Sequence, residues 1–157
     1  MAIILALVFM WLFIGILVLI PKGMNMLESL FVFFIVSIAN NLFCSFLMAN
    51  IKWVEVFETP TAKSVIVIQR AIIIPVLVFI ILQVHFRHKG KVTRIFSFLV
   101  MFCVLIFLER LCAHFEIVAY VHNRALIPIL HSTILYGIGI FSLHIIRNRI
   151  NRDVMVP

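Results

Sequence analysis

Arg70, Glu109, Arg110 and Glu116 lie within long apolar runs of the sequence, and His114 and His131 lie close by. An ionised side chain costs about 2.5–3.5 kcal/mol at the centre of a membrane-spanning helix. Side chains kept at that cost neutralise one another, snorkel to an interface, or do chemistry. At 1.5 Å per residue, Arg70 lies roughly 8 Å in from Val65, where its run begins, and His131 about 9 Å in from Ala125. Glu109 lies about 21 Å from Ile95, which leaves roughly 9 Å to the far face of a ~30 Å hydrocarbon core. The three therefore fall at one level. The expectation is an Arg70–Glu109 ion pair, with His131, Asn41 and Gln69 completing its hydrogen bonds. Such a pair either pins helix register or lines a site for a substrate or ion.

Arg110, His114 and Glu116 are secondary candidates. On a continuous helix Glu109, Ala113, Glu116 and Tyr120 share a face, with Arg110 and His114 on the next. Carboxylates seven residues apart are about 10 Å apart along the axis, too far to share a proton. Glu109, His114, Glu116, His122 and His131 offer metal-ligand atoms, but no HExxH or Cys/His spacing organises them, so neither a metal nor a cofactor is expected. Ser37, Asn41, Cys44, Ser45 and Met48 form a stripe at helical spacing, suited to close helix contact or to one wall of a polar cavity. Asn40 adds a second amide beside that stripe. Pro75 removes a backbone donor from the interior of the run that holds Arg70.

The elements that must position these groups are long helices. Of 157 residues, 65% are hydrophobic and 12% charged, against about half and about a quarter in a soluble domain. Apolar runs cover residues 2–20, 29–49, 65–86, 95–121 and 125–146, each near the roughly 20 residues a span requires. The reading is an all-α, integral membrane bundle of five transmembrane helices, one domain over 1–157. The first run lacks a basic leader and a small-residue cleavage site, so it reads as a retained span. The three cysteines, Cys44, Cys103 and Cys112, lie in apolar stretches without CxxC spacing and read as packing residues.

The net charge of +7 sits mostly at run ends, which points to topology and anionic lipid headgroups rather than nucleic acid. Arg87, Lys89, Lys91 and Arg94 fill one loop without an acid, and Arg147, Arg149 and Arg152 mark the tail. Five spans put both segments on one side, which the positive-inside rule makes cytoplasmic. The N-terminus is then outside and the C-terminus inside. Trp53 and Tyr120 fall at an outer aromatic belt, and the segment from Trp53 to Glu58 reads as a short interfacial cap.

The stretch Ile20-Pro21-Lys22-Gly23-Met24-Asn25-Met26-Leu27-Glu28 resembles the turn after the first span in small five-span membrane proteins of Bacillus-type, spore-forming bacteria. Their layout covers nearly the whole chain, and Glu109 matches a glutamate of their fourth span. The sequence departs from them at Asn40-Asn41 and Trp53, where acids and tyrosines are expected. The resemblance implies five spans in a bacterial plasma membrane and carries no catalytic residue.

The expected role is a non-enzymatic accessory or assembly subunit of a bacterial membrane complex, with a membrane-protein partner or a second copy of itself. A small transporter or channel using Arg70, Glu109 and His131 is the alternative. It requires polar residues through both halves of the bundle, and the other half offers mainly Gln83, Ser97 and Ser142. A third reading, an intramembrane enzyme with Glu109 or His131 as acid or base, requires activity to fail in Glu109→Gln.

Overall fold

The computed structural model describes residues 1–20, 22–87, 90–120 and 126–154. Five helices are long and apolar enough to cross a membrane. They are α1 (Ala2–Leu19), α2 (Met26–Ile51), α3 (Pro60–Arg87), α4 (Lys91–His114) and α5 (Leu126–Val154). Two three-residue strands, β1 (Val54–Val56) and β2 (Val118–Tyr120), pair antiparallel at one end, with Glu55 opposite Ala119.

α3 is the axis of the bundle. It packs against each of the other helices, and 72% of its apolar window is buried, against 11% for α1. Every residue from Ile73 to Gln83 is buried. Leu82, Val32, Val36, Met101 and Leu135 pack with no exposed surface. A continuous run of Ile, Val, Leu and Phe can enter such a core because neighbours cover all sides of the helix. α2 packs closely along α5, α4 lies between α3 and α5, and α1 lies on α3. Phe9 of α1 meets Phe107 of α4 edge to face. Where α1 faces α2, the two splay apart.

The helix ends depart from the hydropathy boundaries. α2 begins at Met26 because Glu28 accepts a hydrogen bond from Asn25 N, at 3.1 Å, and so satisfies an N-terminal donor. α3 begins at Pro60, where Thr59 Oγ1 accepts from Ala62 N and proline occupies the first helical position. The largest departure is α4. The apolar run to Val121 predicts a helix to that point, but α4 stops at His114. Ile117 N donates to Cys112 O and Glu116 N to Ala113 O, with Glu116 left-handed at φ 51°. This is a Schellman termination with glutamate where glycine is usual. The chain leaves the helix and returns as β2. The shared face of Glu109, Glu116 and Tyr120 therefore does not exist. The ribbon also shows what the Val-Glu-Val alternation after Trp53 does. It is the two-residue period of a strand, and Val54 is buried while Glu55 is exposed.

A left-handed non-glycine residue costs roughly 1–2 kcal/mol. Glu116→Gly is therefore expected to stabilise the bundle by about 1 kcal/mol, after part of the relief is offset by glycine's greater freedom when unfolded. A raised thermal midpoint in detergent would confirm it, and a lowered one would show that the carboxylate itself is needed at the turn.

Candidate functional site

Pro75 organises the site. Gln69–Ile73 is π-helical, and Ile74 N donates back five residues to Gln69 O. In that register the next donor would be Pro75 N–H, and its acceptor would be Arg70 O. Proline has no N–H, so the Arg70 carbonyl is left open in the core. Asn40 of α2 fills the vacancy, its Nδ2 donating to Arg70 O at 2.6 Å.

That bond fixes the rest by elimination. A carbonyl only accepts, so Asn40 must present its amide nitrogen to α3 and its oxygen to the other side. Asn40 Oδ1 faces His131 Nε2 of α5 at 2.7 Å. The oxygen is also only an acceptor, so Nε2 carries a proton and donates. His131 is 3% exposed and stacks on Phe43, ring centroids 5.0 Å apart and 12° from parallel. Its Nδ1 points to Glu109 of α4 and lies 3.8 Å from Oε1. That separation is beyond hydrogen-bond length, and it is an ionic contact only when both ring nitrogens carry protons. One amide thus links α2, α3 and α5, and the histidine carries the link to α4.

Arg70 is not the partner of Glu109. Its guanidinium turns along α2, where Nη2 donates to Asn41 O at 3.0 Å and Ser45 Oγ at 2.8 Å, and Nη1 meets Met48 Sδ at 3.5 Å. The two charges share a cavity without touching, and each keeps one buried atom without a partner, Arg70 Nε and Glu109 Oε2. The cavity has a volume of about 50 Å³ and also touches Cys44, Met48, Gln69 and His131. Roughly 10–15 Å³ measured this way holds one water molecule, so there is room for a few waters or one small polar group. Val54 of β1 and Val118 of β2 lie on its wall, which places the ribbon beside the pocket.

Of the predicted network, Arg70, Glu109, His131 and Gln69 come together around this cavity. Gln69 Oε1 accepts from Cys112 Sγ at 3.0 Å. Asn41 contributes its backbone carbonyl alone, because its side chain donates to Ser37 O on its own helix. The amide at the centre is Asn40, one residue earlier. Arg110, His114 and Glu116 are exposed and outside the pocket. His122 lies outside the described residues. Among the described residues no His, Cys, Asp and Glu group could hold a metal ion. The cysteines are free. Cys44 and Cys112 are buried and Cys103 is exposed.

A second polar layer lies at the opposite end of α3. Gln83 Oε1 accepts from Gly23 N at 2.7 Å and Met24 N at 3.2 Å, while its Nε2 donates to Ser29 Oγ. A β-carbon on Gly23 would lie 2.5 Å from Gln83 O, so this turn can seat on α3 only with glycine. Glu28, 5% exposed, accepts two bonds from Arg147 of α5, at 2.8 and 3.2 Å. Arg147 also lies over the Phe86 ring. Between these helices Tyr136 O–H meets His85 Nδ1. Charge counting assigns Arg147 to topology alone and misses this clasp. The available signal was Glu28, with Asp153 one of two acids on a face rich in Lys and Arg.

No protein-family model, curated protein or solved structure matches the chain.

Two outcomes follow from this geometry. Asn40→Ala leaves His131 and the Arg70 carbonyl buried without partners, at about 1–3 kcal/mol for each. A large loss of thermal stability is expected, and Asn41→Ala should lower it much less. In a double-mutant cycle on stability, Arg70→Ala should leave the loss caused by Glu109→Ala in place, although the shared cavity can couple the two by roughly 0.5 kcal/mol or more. Rescue of Glu109→Ala by Arg70→Ala would show that the two charges pair after all.

Proposed function

We propose that this chain is a non-enzymatic subunit of a bacterial plasma-membrane complex that binds a small polar group at one end of its bundle. The N-terminus and the pocket face outside and the C-terminus faces the cytoplasm. The observation that carries this reading is that the pocket is a dead end. From Arg70 to Gln83, about 20 Å along α3, the intervening residues of the axis are apolar. Those from Ile73 onward are all buried. The buried serines near this layer close on carbonyls of their own helices, Ser97 on Thr93, Ser132 on Ile129 and Ser142 on Gly139. Water would have to cross that layer unassisted, which suits binding and opposes conduction.

Two residues that line the pocket each keep a buried polar atom without a partner, the acceptor Glu109 Oε2 and the donor Arg70 Nε. A group with both a donor and an acceptor, such as a primary amide or a hydroxyl, satisfies the pair. A polar side chain from a partner's helix or ribbon meets that description. The transporter reading keeps one supporting feature, the π-helical segment beside a buried charge, since such a bulge often marks a functional site.

Purification of tagged protein in mild detergent, followed by mass spectrometry, tests the proposal. A stoichiometric membrane partner is expected, and it should be lost in Glu109→Ala if the pocket is where it docks. A protein that purifies alone, and that supports Glu109-dependent flux in proteoliposomes, would overturn the subunit reading in favour of transport.

A further inference from the structure

The splay between α1 and α2 leaves a groove of about 500 Å³, within the roughly 300–1,000 Å³ range of small-ligand clefts. Leu17 and Val18 form one wall, Leu30 and Phe33 the other, and Val76 and Phe79 the floor. From Val76 to Gln83 the groove follows α3 for about 10 Å. Its polar floor is already satisfied, because Gln83 spends its oxygen on the Gly23–Met24 turn and its amide nitrogen on Ser29. An apolar cavity without free polar partners does not hold water. Its occupant is therefore hydrocarbon.

The end of the groove by the turn carries positive charge. Lys22 lies on its rim, and Arg87 lies against the same turn, its Cβ 3.2 Å from where a Gly23 β-carbon would be. Both are exposed. Among the described residues neither has an acidic partner, since the nearby acid, Glu28, is clasped by Arg147. Hydrocarbon below and unneutralised cations above describe one ligand class. We infer that the α1–α2 groove is a binding site for a single anionic phospholipid, one acyl chain lying on Val76 and Phe79 and the headgroup held by Lys22 and Arg87. The inference rests on the helices spanning a membrane and is independent of the pocket at the other end.

The test uses the full chain in detergent micelles supplied with phosphatidylglycerol or phosphatidylcholine, with retained lipid counted by native mass spectrometry. Recovery in the membrane fraction is scored separately, so that failure of the membrane reading is seen as such. About one phosphatidylglycerol per chain is expected to remain. Lys22→Gln should lower its retention roughly fivefold, the worth of one lysine at an anionic headgroup, while Lys22→Arg should retain it. Leu30→Trp, which fills the groove from an exposed position, should lower retention of both lipids. If Leu30→Trp fails to fold, the Lys22 pair still decides, because that side chain is exposed. Equal retention of the two lipids, or no effect of Lys22→Gln, would overturn the assignment. So would lipid-free protein that forms α1–α1 crosslinked dimers through Val18→Cys, since a second copy would then fill the groove.

Discussion

The fold turns on one hydrogen bond, from the Asn40 amide to the Arg70 carbonyl. In hydrocarbon every backbone polar group must find a partner inside the protein. Pro75 and the π-helical register together leave a carbonyl of the central helix without one. Because the donor comes from α2, the defect in α3 becomes an inter-helix contact. Because that donor is an amide, its other end is an acceptor, and this selects the ring nitrogen that His131 presents. The position of His131 in turn decides which ring nitrogen faces Glu109. A proline that would only kink an isolated helix thus specifies how three neighbours sit around it.

The same reasoning explains why the two charged groups at that level do not pair. Arg70 has a long side chain, and α2 offers a carbonyl, a hydroxyl and a thioether along its path. Three contacts to neutral acceptors hold the guanidinium along α2 without an acidic partner. Glu109 takes the imidazole at a longer distance, and the cavity remains between the two charges.

Five helices were legible because apolar length is a strong signal and the bilayer thickness calibrates it. Helix ends were less so. The stop at His114 has neither glycine nor proline, and a Schellman turn on glutamate leaves no compositional mark. Arg70, Glu109 and His131 were placed at one depth by counting residues, since the rise per residue is nearly constant. The choice between Asn40 and Asn41 was not, because adjacent residues differ by about 100° around a helix and lipid-facing positions are as apolar as buried ones. Small and polar residues suggested the stripe Ser37, Asn41, Cys44, Ser45 and Met48 as the packing face. The buried face is Glu28, Val32, Val36, Asn40 and Cys44, one residue every four, and it shares only Cys44 with that stripe. That spacing was visible in the sequence, but in a membrane helix apolar periodicity does not say which apolar face is inside.

The two polar layers differ in a way that separates stability from binding. At the Gln83 end, the glutamine accepts from the Gly23 and Met24 amides, Glu28 accepts from Asn25 N and Arg147, and Gly23 allows the contact to close. Such a fully satisfied network rigidifies its surroundings and leaves no buried polar atom for a ligand, so the groove beside it presents only apolar side chains and the cations of its rim. At the Pro75 end the network is complete only as far as His131, and beyond it a carboxylate oxygen and a guanidinium nitrogen are buried without partners in two residues that line a cavity. An unpartnered buried polar atom costs free energy in the isolated chain. That cost is recovered when water or another molecule supplies the missing bonds. The end of the bundle that is less well satisfied by its own atoms is therefore the one whose buried polar groups a polar molecule would stabilise.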